Sequence, residues 1–203
     1  METIINQLVK KDFLSFLLAT MENNFSGFFD SRQKYSQAMD TLQRTLSEAV
    51  VKKEMEAISN QFASISLFSC VLGIQANYRS FIDPVGGNFL AADPEIYLRE
   101  KLAKCLPEYT GSQQFQNEFY GQLDSVQKEQ YQAVTEYICF FETVAPKLAH
   151  YYGYLLGNDL LRRVVPGYQP NLSQTVQYRM MLENQLGTKF DGDFLLKTGF
   201  SAN

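Results

Sequence analysis

The sequence predicts an all-α fold, a single domain of seven or eight helices packed as an irregular bundle. Three observations carry that reading. No Gly or Pro interrupts the chain from Phe28 to Leu72, a run far longer than an ordinary strand. Within it Tyr35, Met39, Leu42, Leu46 and Ala49 recur at alternating spacings of four and three, which places them on one stripe of a helix. Across all 203 residues 45% are hydrophobic, while Gly and Pro number only 12 and 6. That composition excludes a disordered or collagen-like chain, and a domain of this length buries enough surface to fold without disulfides or a structural metal.

The first helix is expected from about Glu2 to Asn23. It starts amphipathic, with Ile5, Leu8 and Val9 against Asn6, Gln7 and Lys10. From Phe13 it is apolar nearly all round, so its second half should be buried. The Tyr35 to Ala49 stripe marks a second helix; it fades at Lys53 and Glu56, and a new apolar set begins at Phe62, which predicts a break near Ser59 and Asn60. The third helix, about Gln61 to Ile82, carries no charge until Arg79 and is the expected centre of the core. Its Ser69 and Gly73, four apart, would let a neighbouring helix cross closely.

Asp83-Pro84-Val85-Gly86-Gly87-Asn88 is turn chemistry. Asp93-Pro94-Glu95 then opens a helix with an N-cap, a proline suited to the first position and an acid that complements the dipole. That helix stops before Pro107. Thr110-Gly111-Ser112 gives a turn and cap ahead of a short amphipathic helix through Phe115, Phe119 and Leu123. Asp124-Ser125-Val126-Gln127 has the form of a capping box and begins a long helix through Tyr131, Val134, Ile138 and Phe141. Pro146 either kinks that helix or opens a new one, and helix continues to about Val165. Pro166 to Pro170 is a loop, Ser173 caps the last helix, and Gly187 ends it. Residues 1–187 thus form one helical domain. The tail 188–203 carries Phe190, Phe194, Leu195, Leu196 and Phe200 and is expected to dock on that body or on a partner.

The net charge is −4, and the longest basic runs are the pairs Lys10-Lys11, Lys52-Lys53 and Arg162-Arg163. Nucleic acid is therefore not an expected partner. The charge is unevenly spread. Cys105 to Pro146 holds six acids against Lys128, whereas Lys147 to Phe190 holds five bases against Asp159 and Glu183, as two solvated faces or as a bipolar surface that orients a partner. The three cysteines, Cys70, Cys105 and Cys139, lie beside apolar residues and form no C-x-x-C, which fits buried thiols in a reducing cytoplasm. No charge occurs from Ala57 to Tyr78, but interspersed Ser, Asn and Gln leave a compact apolar part, Phe62 to Ile74, of core-helix length. No transmembrane segment is expected.

The usual enzyme constellations are missing. There is no G-x-S-x-G and no G-x-x-x-x-G-K-[ST], and a single histidine, His150, removes every mechanism needing two imidazoles. The segment that breaks local rules is Lys147 to Asp159. Its Ala149, Gly153 and Gly157, spaced by four, form a helical ridge with almost no side chain, and each Gly costs a helix about 1 kcal/mol relative to Ala. One reading is a close crossing by a second helix, at Ser69 and Gly73. The other is a flat ligand on exposed backbone, with His150 and Tyr154 flanking it and Tyr151, Tyr152, Arg162 and Arg163 nearby.

Ala149-His150, Tyr152 and Leu156-Gly157 together resemble the distal-helix stretch of heme oxygenases, which are also all-helical and of similar length. That resemblance implies a heme or bilin near His150, Tyr154, Ala149, Gly153, Gly157, Arg162 and Arg163. The chain departs from that family before His150, where no histidine offers a proximal ligand. The leading expectation is a non-enzymatic interaction protein, an adaptor, assembly factor or regulatory subunit that binds another protein, with self-association as a further option. The alternative is a helical pocket for heme, a bilin or another flat cofactor, of heme-oxygenase-like or globin-like build.

Overall fold

A computed structural model describes residues 12–86, 94–106 and 115–190 of the chain. Seven helices and no strand occur among the described residues. They are α1 (Asp12–Asn24), α2 (Ser26–Thr45), α3 (Glu48–Ile82), α4 (Pro94–Cys105), α5 (115–121), α6 (Ser125–Val164) and α7 (Leu172–Leu186). The expected start of the first helix, the turns at Gly87 and at Thr110 to Ser112, and the tail from Asp191 onward lie outside the described residues.

Two long helices run side by side and parallel. With 35 residues in α3 and 40 in α6, their lengths are about 50 and 60 Å. Glu54 meets Tyr131, Phe62 stacks on Phe141, Cys70 lies over Gly153 and Asn77 over Gly157, always in the same order. A composite rod of α1 and α2 runs antiparallel to α6. Gln127 donates to the Thr45 hydroxyl, Tyr35 stacks on Tyr137, Phe28 packs on Phe140, and Phe13 and Phe16 reach Tyr152. Helix α7 returns along the second half of α6, burying Tyr178 and Leu182. The core is the space enclosed by these four rods.

Local chemistry explains most boundaries. Asp124 accepts from the Gln127 amide at 2.8 Å and the Gln127 side chain accepts from the Asp124 amide at 3.0 Å, so α6 opens with a complete capping box. Gly187, at φ 64°, closes α7 in the left-handed conformation that only glycine adopts without strain. The start of the tail docks, since Phe190 is buried, its carbonyl accepts from Arg179 and its amide donates to Glu183.

Two expectations are corrected and one open alternative is decided. The long Gly-free run does not divide at Ser59-Asn60; it divides at Leu46-Ser47, where both residues are extended. Buried Val51, Ile58, Ile65 and Leu72 keep a seven-residue seam straight through the expected break, while buried Glu54 and Gln61 interrupt its apolar pattern. Of the two alternatives at Pro146, a new helix is excluded, because α6 continues through it with the ring buried, giving up one backbone hydrogen bond. The cap of α7 is Asn171, whose side chain accepts from the Gln174 amide at 3.0 Å, and not Ser173. Helix α3 is long and apolar enough to cross a membrane by length and composition, and half of that window is buried inside the bundle.

Candidate functional site

The Ala149, Gly153 and Gly157 ridge faces α3 and is filled by it. A Cβ on Gly153 would lie 1.9 Å from the Cys70 carbonyl oxygen, and one on Gly157 would lie 2.6 Å from Asn77 Cβ. The fit is reciprocal: a Cβ on Gly73 would lie 1.9 Å from the His150 carbonyl oxygen. Two backbones therefore touch where neither helix has a side chain, with Ser69, Cys70 and Ala149 fully buried between them. Close dispersion contact along several turns offsets the helix-propensity cost of the glycines.

His150 is fully buried beside this crossing. Its Nδ1 and the Tyr178 hydroxyl are hydrogen-bonded, and Tyr151 and Tyr154 set their rings edge-on to Tyr178. Burial pushes the imidazole down to about 4, so it is neutral at pH 7. Burial also pushes the Tyr178 hydroxyl well above its usual range. The pair is thus a neutral polar joint between α6 and α7. A heme or bilin on the ridge would need the space that α3 occupies, and an axial bond would need an open approach to an enclosed ring. Neither group fits there.

The predicted site residues separate. Ala149, His150, Gly153, Tyr154 and Gly157 lie in the helix contact, whereas Arg162 and Arg163 stand exposed at the far end of α6. Arg162 pairs with Asp159 at 3.6 Å, well exposed, a weak surface pair. A buried carboxylate exists, but it is neither Glu136 nor Glu142. Glu54 is fully buried, accepts from the Tyr131 hydroxyl, and has no partner for Oε2 among the described residues. Burial raises its carboxyl above the usual range.

The end where α3 and α6 both finish holds what sequence reading missed. Phe81, Ile82, Val85, Val164, Leu172 and Val176 are all exposed there, with Val85 at 90%, Ile82 at 77% and Leu172 at 70%. They come from the last turn of α3, the following turn, the end of α6 and the start of α7. Exposed Arg79, Arg162 and Arg163 accompany them. Because α6 is one continuous helix, its acidic residues Glu129, Glu136 and Glu142 and its basic residues Lys147, Arg162 and Arg163 become opposite ends of one rod.

The same end contains a cavity of about 320 Å³ between α3, α7 and the 165–171 loop. Its floor is Asn77, buried, donating to the Tyr154 carbonyl at 3.0 Å and to Asn158 Oδ1 at 2.9 Å. Those two acceptors fix the amide's orientation and leave Asn77 Oδ1 without a partner among the described residues. Tyr168 donates to Asn158 Oδ1 at 2.7 Å, and its ring meets Phe81 edge-on at 5.3 Å. The signal in the sequence is the spacing of Gln169, Asn171, Gln174 and Gln177, a run of carboxamides across a loop and helix start. A second cleft, about 380 Å³, opens between α3, α4 and α6 over Ile65, Leu98, Leu102 and Pro146.

The chain matches no protein-family model, no curated protein and no solved structure.

Proposed function

We propose that this protein is a non-enzymatic helical interaction protein that binds another protein through the apolar end of its bundle. The observation that carries the reading is the exposed set Phe81, Ile82, Val85, Val164, Leu172 and Val176, all at the end of the bundle where α3 and α6 finish and α7 begins. Large apolar side chains exposed at one end of a bundle are what a protein contact surface supplies. Arg79, Arg162 and Arg163 beside them favour a partner whose apolar patch has an acidic rim. The reading places the protein in the cytoplasm, in keeping with its unpaired thiol at Cys70.

The test is the double variant Ile82→Glu/Leu172→Glu, which alters two side chains that the fold does not bury. It is expected to keep the helical circular-dichroism spectrum and melting temperature of the unaltered chain. In affinity capture it is expected to lose, by at least tenfold, a protein that the unaltered chain retains in low salt, since each apolar side chain buried in an interface contributes about 1.5 to 3 kcal/mol. Sedimentation of both forms separates self-association from a distinct partner. Equal capture by both forms, with both monomeric, overturns the reading.

A further inference from the structure

We infer that the cavity between α3, α7 and the 165–171 loop is a binding site for a neutral saccharide. Its size, about 320 Å³, lies at the small end of the range of small-molecule sites and suits a mono- or disaccharide. Among the described residues that line it, none carries a charge. Phosphates, carboxylates and amines find no counter-charge in the wall itself, Arg162 acting on Tyr168 only from outside it, which favours a neutral ligand.

The wall is nevertheless dense in hydrogen-bonding groups. Gln174 and Gln177 present carboxamides, Ser80 presents a hydroxyl, and Asn77 and Tyr168, whose protons are already donated, present acceptor oxygens. A carboxamide carries an acceptor and two donors side by side, which matches the adjacent hydroxyls of a sugar ring. The groups are also held in place. Asn77 is buried and fixed by two acceptors, Tyr168 donates to Asn158, and Gln174 has its amide capped by Asn171 and its side chain near Ser80 Oγ at 3.4 Å.

The aromatic geometry excludes a nucleobase, the other neutral ligand rich in hydrogen bonds, only as a base sandwiched between two rings, and an adenosine probe tests the one-face alternative. Phe81 and Tyr168 meet each other edge-on, with an interplanar angle of 80°. They leave no parallel slot between them in which a planar base could be sandwiched. A puckered ring needs only one apolar face, against Phe81 or Pro84, with its hydroxyls turned to the amides.

The experiment uses the whole chain and saturation-transfer NMR with four probes: methyl α-glucoside, N-acetylglucosamine, adenosine and methyl phosphate. Transfer to at least one of the two sugars is expected, with none to adenosine or phosphate. Calorimetry then compares the unaltered chain with Gln174→Ala/Gln177→Ala, whose melting temperature is expected to stay the same. A loss of sugar affinity of at least tenfold in the double variant supports the site. Absence of sugar binding at millimolar concentration, transfer only to adenosine or phosphate, or sugar binding that the double variant leaves unchanged overturns it. The inference shares Phe81 with the protein-docking reading but is tested separately: neither Ile82 nor Leu172 lines the cavity, so Ile82→Glu/Leu172→Glu is expected to bind sugar as the unaltered chain does.

Discussion

Gly153→Ala is the substitution that tests the centre of this fold. A Cβ there would sit 1.9 Å from the Cys70 carbonyl oxygen and 2.7 Å from its carbonyl carbon. Ordinary contact begins near 3.4 Å, so α3 and α6 must separate by about 1.5 Å at that point. The obstacle is backbone, which cannot rotate aside as a side chain would. A gap of even 0.5–1 Å forfeits about a quarter to a half of the dispersion energy across it. Overpacking of this kind costs about 3 kcal/mol at the upper end of its usual range, and the gain in helix propensity returns about 1. The net loss of about 2 kcal/mol corresponds to a melting temperature lower by about 4–8 °C in a chain of this size. Gly121→Ala is the internal control, because nothing lies within 4 Å of its new Cβ. It is expected to be neutral or to stabilise by up to about 1 kcal/mol. Thermal denaturation followed by circular dichroism compares the three chains. If Gly153→Ala melts no lower than Gly121→Ala, the ridge is not packed against α3, and the close crossing is refuted.

Two further predictions concern buried titratable groups. His150 takes a proton near 6.5 when unfolded but only near 4 when folded, so between those values the unfolded chain binds more protons. Stability from this group is complete above about pH 6.5 and is lost as pH falls toward 4, by at most about 3 kcal/mol; urea titrations of the unaltered chain and His150→Gln should diverge across that window, and parallel curves would show that the ring is not buried neutral. Glu54 has the opposite sign, since burial raises its folded value above 4.5 and its contribution is lost as pH rises. Glu54→Gln keeps an acceptor for the Tyr131 hydroxyl, so it is expected to be more stable than the unaltered chain at pH 8, with the gap narrowing toward pH 4.5; a pH-independent gap refutes the buried-carboxylate account.

Much of the fold was legible locally. The capping box at Asp124, the left-handed Gly187, the start of α4 at Pro94 and the end of α3 at Ile82 each follow from side chains within four residues of the boundary. The break at Leu46-Ser47 was not legible, because no Gly or Pro marks it. The chain turns there so that α2 can lie antiparallel to α6 while α3 lies parallel to it. The continuity of α3 was hidden by Glu54 and Gln61, polar residues whose partners, Tyr131 and Glu142, stand about eighty positions away.

The candidate site divides along the same line. The spacing of Ala149, Gly153 and Gly157 already marked a bare ridge and named Ser69 and Gly73 as the surface to meet it, because helical periodicity is a local property. Whether a helix or a ligand filled the ridge depended on which way α3 and α6 ran and in what register, and those are decided by the whole core at once. The same parallel arrangement sends both helices to one end. There it leaves Phe81, Ile82, Val164 and Leu172 exposed at one end of the bundle, and sets Asn77, Tyr168, Gln174 and Gln177 around one cavity. Periodicity determines the faces a helix presents; only the long-range pairing of those faces decides what is covered and what is left open.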